Sequence, residues 1–170
     1  MKKKIISAFI EKFEAEVEAL SESAKAAHEA ATHEESKPED AHDTRGVEAS
    51  YLAGAQQARI GELKSVILET KTLLERSSVA TKPDTVVAAG AIVSIQPLLD
   101  ADSEKPKGAP IRALIAVHGG GTSVEVDGVA YSIFTPSSPI GEAILGATAG
   151  EVVEIESKGG SRAYRVESVL

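Results

Sequence analysis

Carboxylates and imidazoles crowd into one short stretch of the chain, HEESKPEDAHDTRG at residues 33–46. Glu34, Glu35, Glu39, Asp40 and Asp43 stand there beside His33 and His42, with His28 just upstream and Glu48 just downstream. A zinc site can be imagined, but no two of these histidines have the i, i+4 spacing that puts a ligand pair on one helical face. Carboxylates on a turn suit Mg²⁺ better, because that ion keeps several waters and accepts one or two carboxylates together with phosphate oxygens. Such a set is half a site. It needs another macromolecule to supply the remaining ligands; without one it is a solvated turn.

Other chemistry is poorly represented. His118-Gly119-Gly120-Gly121 has the look of an oxyanion-hole loop, but no G-x-S-x-G nucleophile elbow accompanies it, so a tight glycine turn is the expectation. No G-K-[ST] follows those glycines, which excludes a phosphate loop. With no cysteine there is no disulfide framework, thiolate nucleophile or thiolate metal site. The net charge of −8 argues against wrapping DNA or RNA and favours a basic protein surface or metal ions as partners. MKKKIISAFIEKF opens like a secretory leader, yet charge returns at Glu11 after six residues, and no run approaches a membrane span; a soluble protein is expected.

The elements that would position the acidic stretch are regular. Residues 1–80 contain one Pro (Pro38) and three Gly, whereas residues 81–170 contain six Pro and eleven Gly, so the first half reads as helical and the second as turn-rich β structure. Ile6, Ile10, Phe13, Val17, Leu20, Ala24, Ala27 and Ala31 recur at alternating spacings of four and three, an a/d stripe that requires a partner helix. Ala53, Gln56, Ile60, Leu63, Ile67, Thr70 and Leu74 form a weaker stripe with two polar interruptions. The two fit an antiparallel coiled-coil hairpin over residues 1–76, whose tip is 33–46 and whose side chains grow larger away from the tip. Asp43 or Thr44 could cap the second helix. A homodimeric coiled-coil scaffold is the plainer alternative.

A polar linker is expected at 77–84 and a second domain at 85–170. TVVAAGAIVSIQPL, IRALIAVHG, TSVEVDGVAYSIFTP, EVVEIES and SRAYRVESVL are short β-branched runs separated by Gly and Pro, the last two joined by Lys158-Gly159-Gly160 as a hairpin. SPIGEAILG at 138–146 predicts a short helix with Ser138 as N-cap, Pro139 at N1 and Gly146 just past its end. The expectation is an α+β chain: a helical hairpin, then a small antiparallel sheet packed against one short helix.

The closing segment resembles that of the Gre transcription elongation factors, S-P-[small or apolar]-x-x-A-[IL]-L-G-x-x-x-G-[DE]-x-V-x-[IV] followed by a Gly-Gly hairpin. Ser138, Pro139, Ala143, Ile144, Leu145, Gly146, Gly150, Glu151, Val153 and Ile155 match it, with Gly159, Gly160 and Tyr164 beyond. The resemblance implies an FKBP-like C-terminal domain that docks on the rim of RNA polymerase's secondary channel through the segment bearing Ser138, Pro139, Gly146 and Gly150. It also implies a hairpin entering the channel, where tip acids help hold a second Mg²⁺ so that polymerase cleaves its own backtracked transcript. On that basis the chain has no catalytic residue and no cofactor of its own. Asp43, Asp40, Glu39 and Glu48 would act in trans, Asp43 and Asp40 would touch metal only with polymerase, and Arg45, Thr44 and Tyr51 would be their neighbours.

The tip departs from the family's G-D-L-K-E-N-A-E-Y. Aligning Tyr51 without a gap puts Thr44 and Val47 where the two acids belong; slipping by one recovers Asp43 but leaves Gly46 in place of the glutamate. Segments 91–131 also leave the family pattern. A divergent paralogue is therefore expected, a monomer in the bacterial cytoplasm with no sequence-specific DNA binding and no membrane. It would either stimulate cleavage or occupy the channel without cleaving. From another class, an FKBP-like prolyl isomerase or chaperone remains open, although only Tyr131, Phe134 and Tyr164 could line its pocket.

Overall fold

The computed structural model describes residues 1–32, 45–77, 86–102, 105–157 and 160–170. Most of the acidic stretch and the expected linker lie outside these residues, as do Thr44 and the candidate acids Glu39, Asp40 and Asp43. The elements are α1 (Lys2–Thr32), α2 (Arg45–Arg76), β1 (Ile92–Pro97), β2 (Ile111–Ile115), β3 (Ser123–Val126), β4 (Val129–Phe134), α3 (Pro139–Ile144), β5 (Val152–Ser157) and β6 (Gly160–Val169). The chain is thus α+β, a long helix pair followed by a six-stranded sheet with one short helix. Its two compact units are Ile10–Glu69, and Met1–Phe9 together with Thr70–Leu170.

Within Ile10–Glu69 the two helices run antiparallel. Gln56 on α2 donates to Ser23 on α1 at 2.8 Å, and Arg59 reaches back to Glu16 at 3.4 Å. The apolar stripes are the buried ones: Ile10, Phe13, Ile60, Leu63 and Ile67 are closed to solvent, while Val17, Leu20, Ala24, Ala27, Ala53 and Gln56 are half-buried. At Ala24, Ala27 and Ala53 the stripe also buries less apolar area than isoleucine or phenylalanine would at equivalent positions.

In the other unit the strand order is β3-β4-β2-β1-β6-β5. Four of the pairings are antiparallel, but β2 and β4 pair in parallel, so the sheet is mixed rather than the antiparallel one expected. The reason lies in TSVEVDGVAYSIFTP, which is a hairpin and not one run. Asp127 (φ 54°) and Gly128 (φ 75°) form its two-residue turn, the left-handed pair that an Asp-Gly sequence favours. That fold-back puts β3 on the edge and β4 beside β2.

Both faces of the sheet are covered. One face buries Val93, Ile95, Ala113, Ile115 and Val166 with Val87 and with Ile144 of α3. Strand alternation turns Ile92, Leu114, Tyr131 and Ile133 to the opposite face, where they too are buried. The opening residues of α1 belong to this unit. Ile5, Ile6 and Phe9 are fully buried, Lys2 donates to the Leu170 carbonyl oxygen at 2.9 Å, and Lys4 ion-pairs with Asp127. Partial desolvation lowers the pKa of the Lys2 ammonium.

Candidate functional site

The C-terminal segment is held by a chain of local hydrogen bonds that its sequence dictates. Ser138 caps α3: its hydroxyl accepts from the Gly141 amide at 3.2 Å and donates to the Thr135 carbonyl at 2.7 Å. Pro139 occupies the first helical turn, where a missing N–H costs nothing. The helix stops after Ile144, and Gly146 (φ +84°) takes the left-handed conformation that redirects the chain. Its amide then donates to the Val87 carbonyl at 2.8 Å, while the Val87 amide returns a bond of 2.8 Å to Ala147.

A second turn follows. Glu151 accepts from the Thr148 amide at 2.6 Å through its carboxylate, and Gly150 (φ +95°) donates to Val166 at 2.7 Å. These contacts explain the small and acidic residues at 146–151 by backbone satisfaction alone. What they leave outside is a short surface on which Pro139, Glu142 and Leu145 are exposed, beside Val152 on the edge strand β5. Ile140 faces the core instead. Ser138, Pro139, Gly146 and Gly150 therefore fall on one continuous stretch, with Ser138 and the two glycines shaping it.

At the other end of the sequence, Glu48 is the one candidate acid that is described; it is exposed on α2, one turn before the exposed Tyr51. Val47 and Leu52 are exposed beside them. Arg45 begins α2. Among the described residues no three metal-ligating side chains converge, and His28 is exposed on α1.

Of the three aromatics that could line a proline-binding pocket, Tyr131 is fully buried, Phe134 and Tyr164 are half-buried against the core cluster, and Tyr164 also lines an open cavity with Pro97, Leu98 and Lys107. The His118–Gly121 loop is a turn in which Gly119 and Gly121 have positive φ and Thr122 donates to the Gly119 carbonyl at 3.1 Å. The Asp-Gly turn at 127–128 was the signal that sequence reasoning missed, and it fixes which strands are neighbours.

Residues 123–170 match the family described as transcription elongation factor, GreA/GreB, C-terminal. Among solved structures, a structure of the transcription factor Gfh1 is 18% identical, with a TM-score of 0.37 over 95% of this chain and 93% of that one. GreA factor homolog 1 of Thermus thermophilus is 18% identical, with a TM-score of 0.36 over 95% and 94%. A GreA/GreB elongation factor from Nitrosomonas europaea is 21% identical, with a TM-score of 0.34 over 59% and 78%. No curated protein matches the chain. The family match falls on the very segment whose caps and turns are built by Ser138, Gly146 and Gly150. That segment is what the chain has in common with GreA/GreB transcription elongation factors, whose C-terminal part it resembles.

Proposed function

We propose that this protein binds RNA polymerase and regulates transcript elongation by placing its hairpin tip in the secondary channel. The observation that carries the reading is the GreA/GreB C-terminal match over 123–170, on a chain that also has a long antiparallel helix pair. In this reading the C-terminal part is an FKBP-like platform that docks at the channel rim through Ser138–Gly150. The tip offers Asp43, with Asp40, Glu39 and Glu48 nearby, to the polymerase's own active site. The factor is then no enzyme. It holds no cofactor alone, shares Mg²⁺ with polymerase, and works as a monomer in the bacterial cytoplasm.

Cleavage of backtracked RNA would follow if those acids complete the site for the second metal, the arrangement that stabilises attacking and leaving oxygens in phosphoryl chemistry. A second reading, occupation of the channel without cleavage, is favoured by one observation. Without a gap, the position of the family's second acid falls on Val47, which is apolar and 55% exposed.

The test incubates halted, backtracked polymerase with the protein and Mg²⁺ and follows the RNA 3′ end. Shortening that disappears with Asp43→Ala supports cleavage. Binding without shortening supports occupation alone. Failure to bind, or binding that a Gre factor does not displace, overturns the shared-channel reading altogether.

A further inference from the structure

We propose that the hairpin is built in two halves of unequal stability, and that its apical half, residues 23–32 of α1 with 45–56 of α2, opens locally while the basal half stays closed. Three independent features of Ile10–Glu69 lead there.

The first is packing. Below the Ser23–Gln56 crossing the helices are joined by buried Ile10, Phe13, Ile60, Leu63 and Ile67, whereas above it the stripe positions are Ala24, Ala27 and Ala53, all half-buried. Helices of this length owe most of their stability to the apolar face they bury, so the half that buries only alanines is the less secure.

The second is Gln56 itself. It occupies a stripe position, donates through Nε2 to Ser23 Oγ at 2.8 Å, and has its Oε1 shut away from solvent without a hydrogen-bond partner among the described residues. A polar pair at such a position fixes the register of two helices at a cost in stability, and the cost rises when one lone pair is stranded. Opening the apical half returns that oxygen to water.

The third is glycine in the interior of α2. Gly54 and Gly61 are exposed, neither has a positive φ, and a Cβ added to either would meet nothing within 4 Å. Neither packing nor backbone conformation asks for glycine here. Gly54, in the apical half, therefore simply weakens that half relative to alanine, by roughly four- to fivefold in its local opening equilibrium, whereas Gly61 lies in the basal half. The stranded Gln56 oxygen is two residues from Gly54, and the bond from Arg59 to Glu16 just below the boundary is an exposed pair of the kind that contributes little.

Hydrogen exchange read by mass spectrometry on the full chain tests this. Amides of 23–29 and 47–56 should exchange at least about tenfold faster than those of 10–13 and 60–69. Gly54→Ala, which favours helix and so carries no folding risk, should slow apical exchange about fourfold and leave basal exchange nearly unchanged, whereas Gly61→Ala, in the basal half, should leave apical exchange nearly unchanged. Gln56→Leu should slow it as well. Equal protection in both halves, or apical exchange that Gly54→Ala does not slow, overturns the proposal.

Discussion

The Ser138 hydroxyl sits between two backbone groups, 2.7 Å from the Thr135 carbonyl it donates to and 3.2 Å from the Gly141 amide that donates to it. One side chain therefore closes the loop before α3 and caps the helix. Ser138→Ala should lower stability by about 1 kcal/mol, the usual worth of an N-cap. Aspartate is ordinarily as good a cap as serine, but it cannot donate, and its carboxylate would face the Thr135 carbonyl. Ser138→Asp should therefore be at least as destabilising as alanine, and urea unfolding of the two variants would show whether the donated bond matters.

Gly146 and Gly150 test a different cause. Their φ values of +84° and +95° lie in the region L side chains avoid, while a Cβ at either would find open space within 4 Å. Any loss on substitution is therefore backbone strain and not a clash. Gly146→Ala should cost about 1–2 kcal/mol, and Gly146→Asn less, because asparagine tolerates the left-handed conformation better. Thermal melts that rank alanine and asparagine equally would refute that attribution.

These local devices are also why part of the molecule could be read from sequence. Ser-Pro, the glycine after Leu145 and the terminal Gly-Gly hairpin each act over three or four residues, so their types alone announce them. The helix stripes were legible for a similar reason: Ile6, Ile10, Phe13, Ile60, Leu63, Ile67 and Thr70 are all buried. Ile5 and Phe9 were not legible, because they are buried within the sheet's unit and obey no heptad. The parallel β2–β4 pairing is long-range as well. It depends on the Asp127-Gly128 reversal combining with the crossing from β2 to the edge, which no local window contains. At the tip, the sequence named acids of which only Glu48 falls among the described residues.

The ion pair from Lys4 to Asp127 joins the start of α1 to the β3–β4 turn, and both side chains are about two-thirds exposed. A pair so exposed is worth at most about 1 kcal/mol. The larger constraint at Asp127 is its φ of 54°. Lys4→Ala and Asp127→Asn should then both fall within about 0.5 kcal/mol of the parent, since asparagine keeps the turn. Asp127→Val removes the same charge and adds a β-branch to a left-handed position, and should cost clearly more. If Asp127→Asn proves as damaging as Asp127→Val by denaturant titration, the ion pair and not the turn is the stabilising element.

Docking and tip chemistry should separate if the proposed function is right. Leu145 is 46% exposed next to the Gly146 turn, so Leu145→Glu changes the surface of the segment without removing a core side chain. It should weaken polymerase binding about tenfold, as loss of an apolar anchor at an interface does, with the melting temperature little altered. Asp43→Ala removes one carboxylate from the tip, so binding should persist while any RNA shortening is lost. Glu48→Gln distinguishes the acids further. Glu48 is five residues from Asp43 in the chain and stands on α2, one turn before Tyr51, so it should matter less if Asp43 and Asp40, three apart, form the working pair. A binding assay and a cleavage assay on the same three proteins decide this. Loss of binding in Asp43→Ala with no loss in Leu145→Glu would reverse the roles assigned to the two ends of the chain.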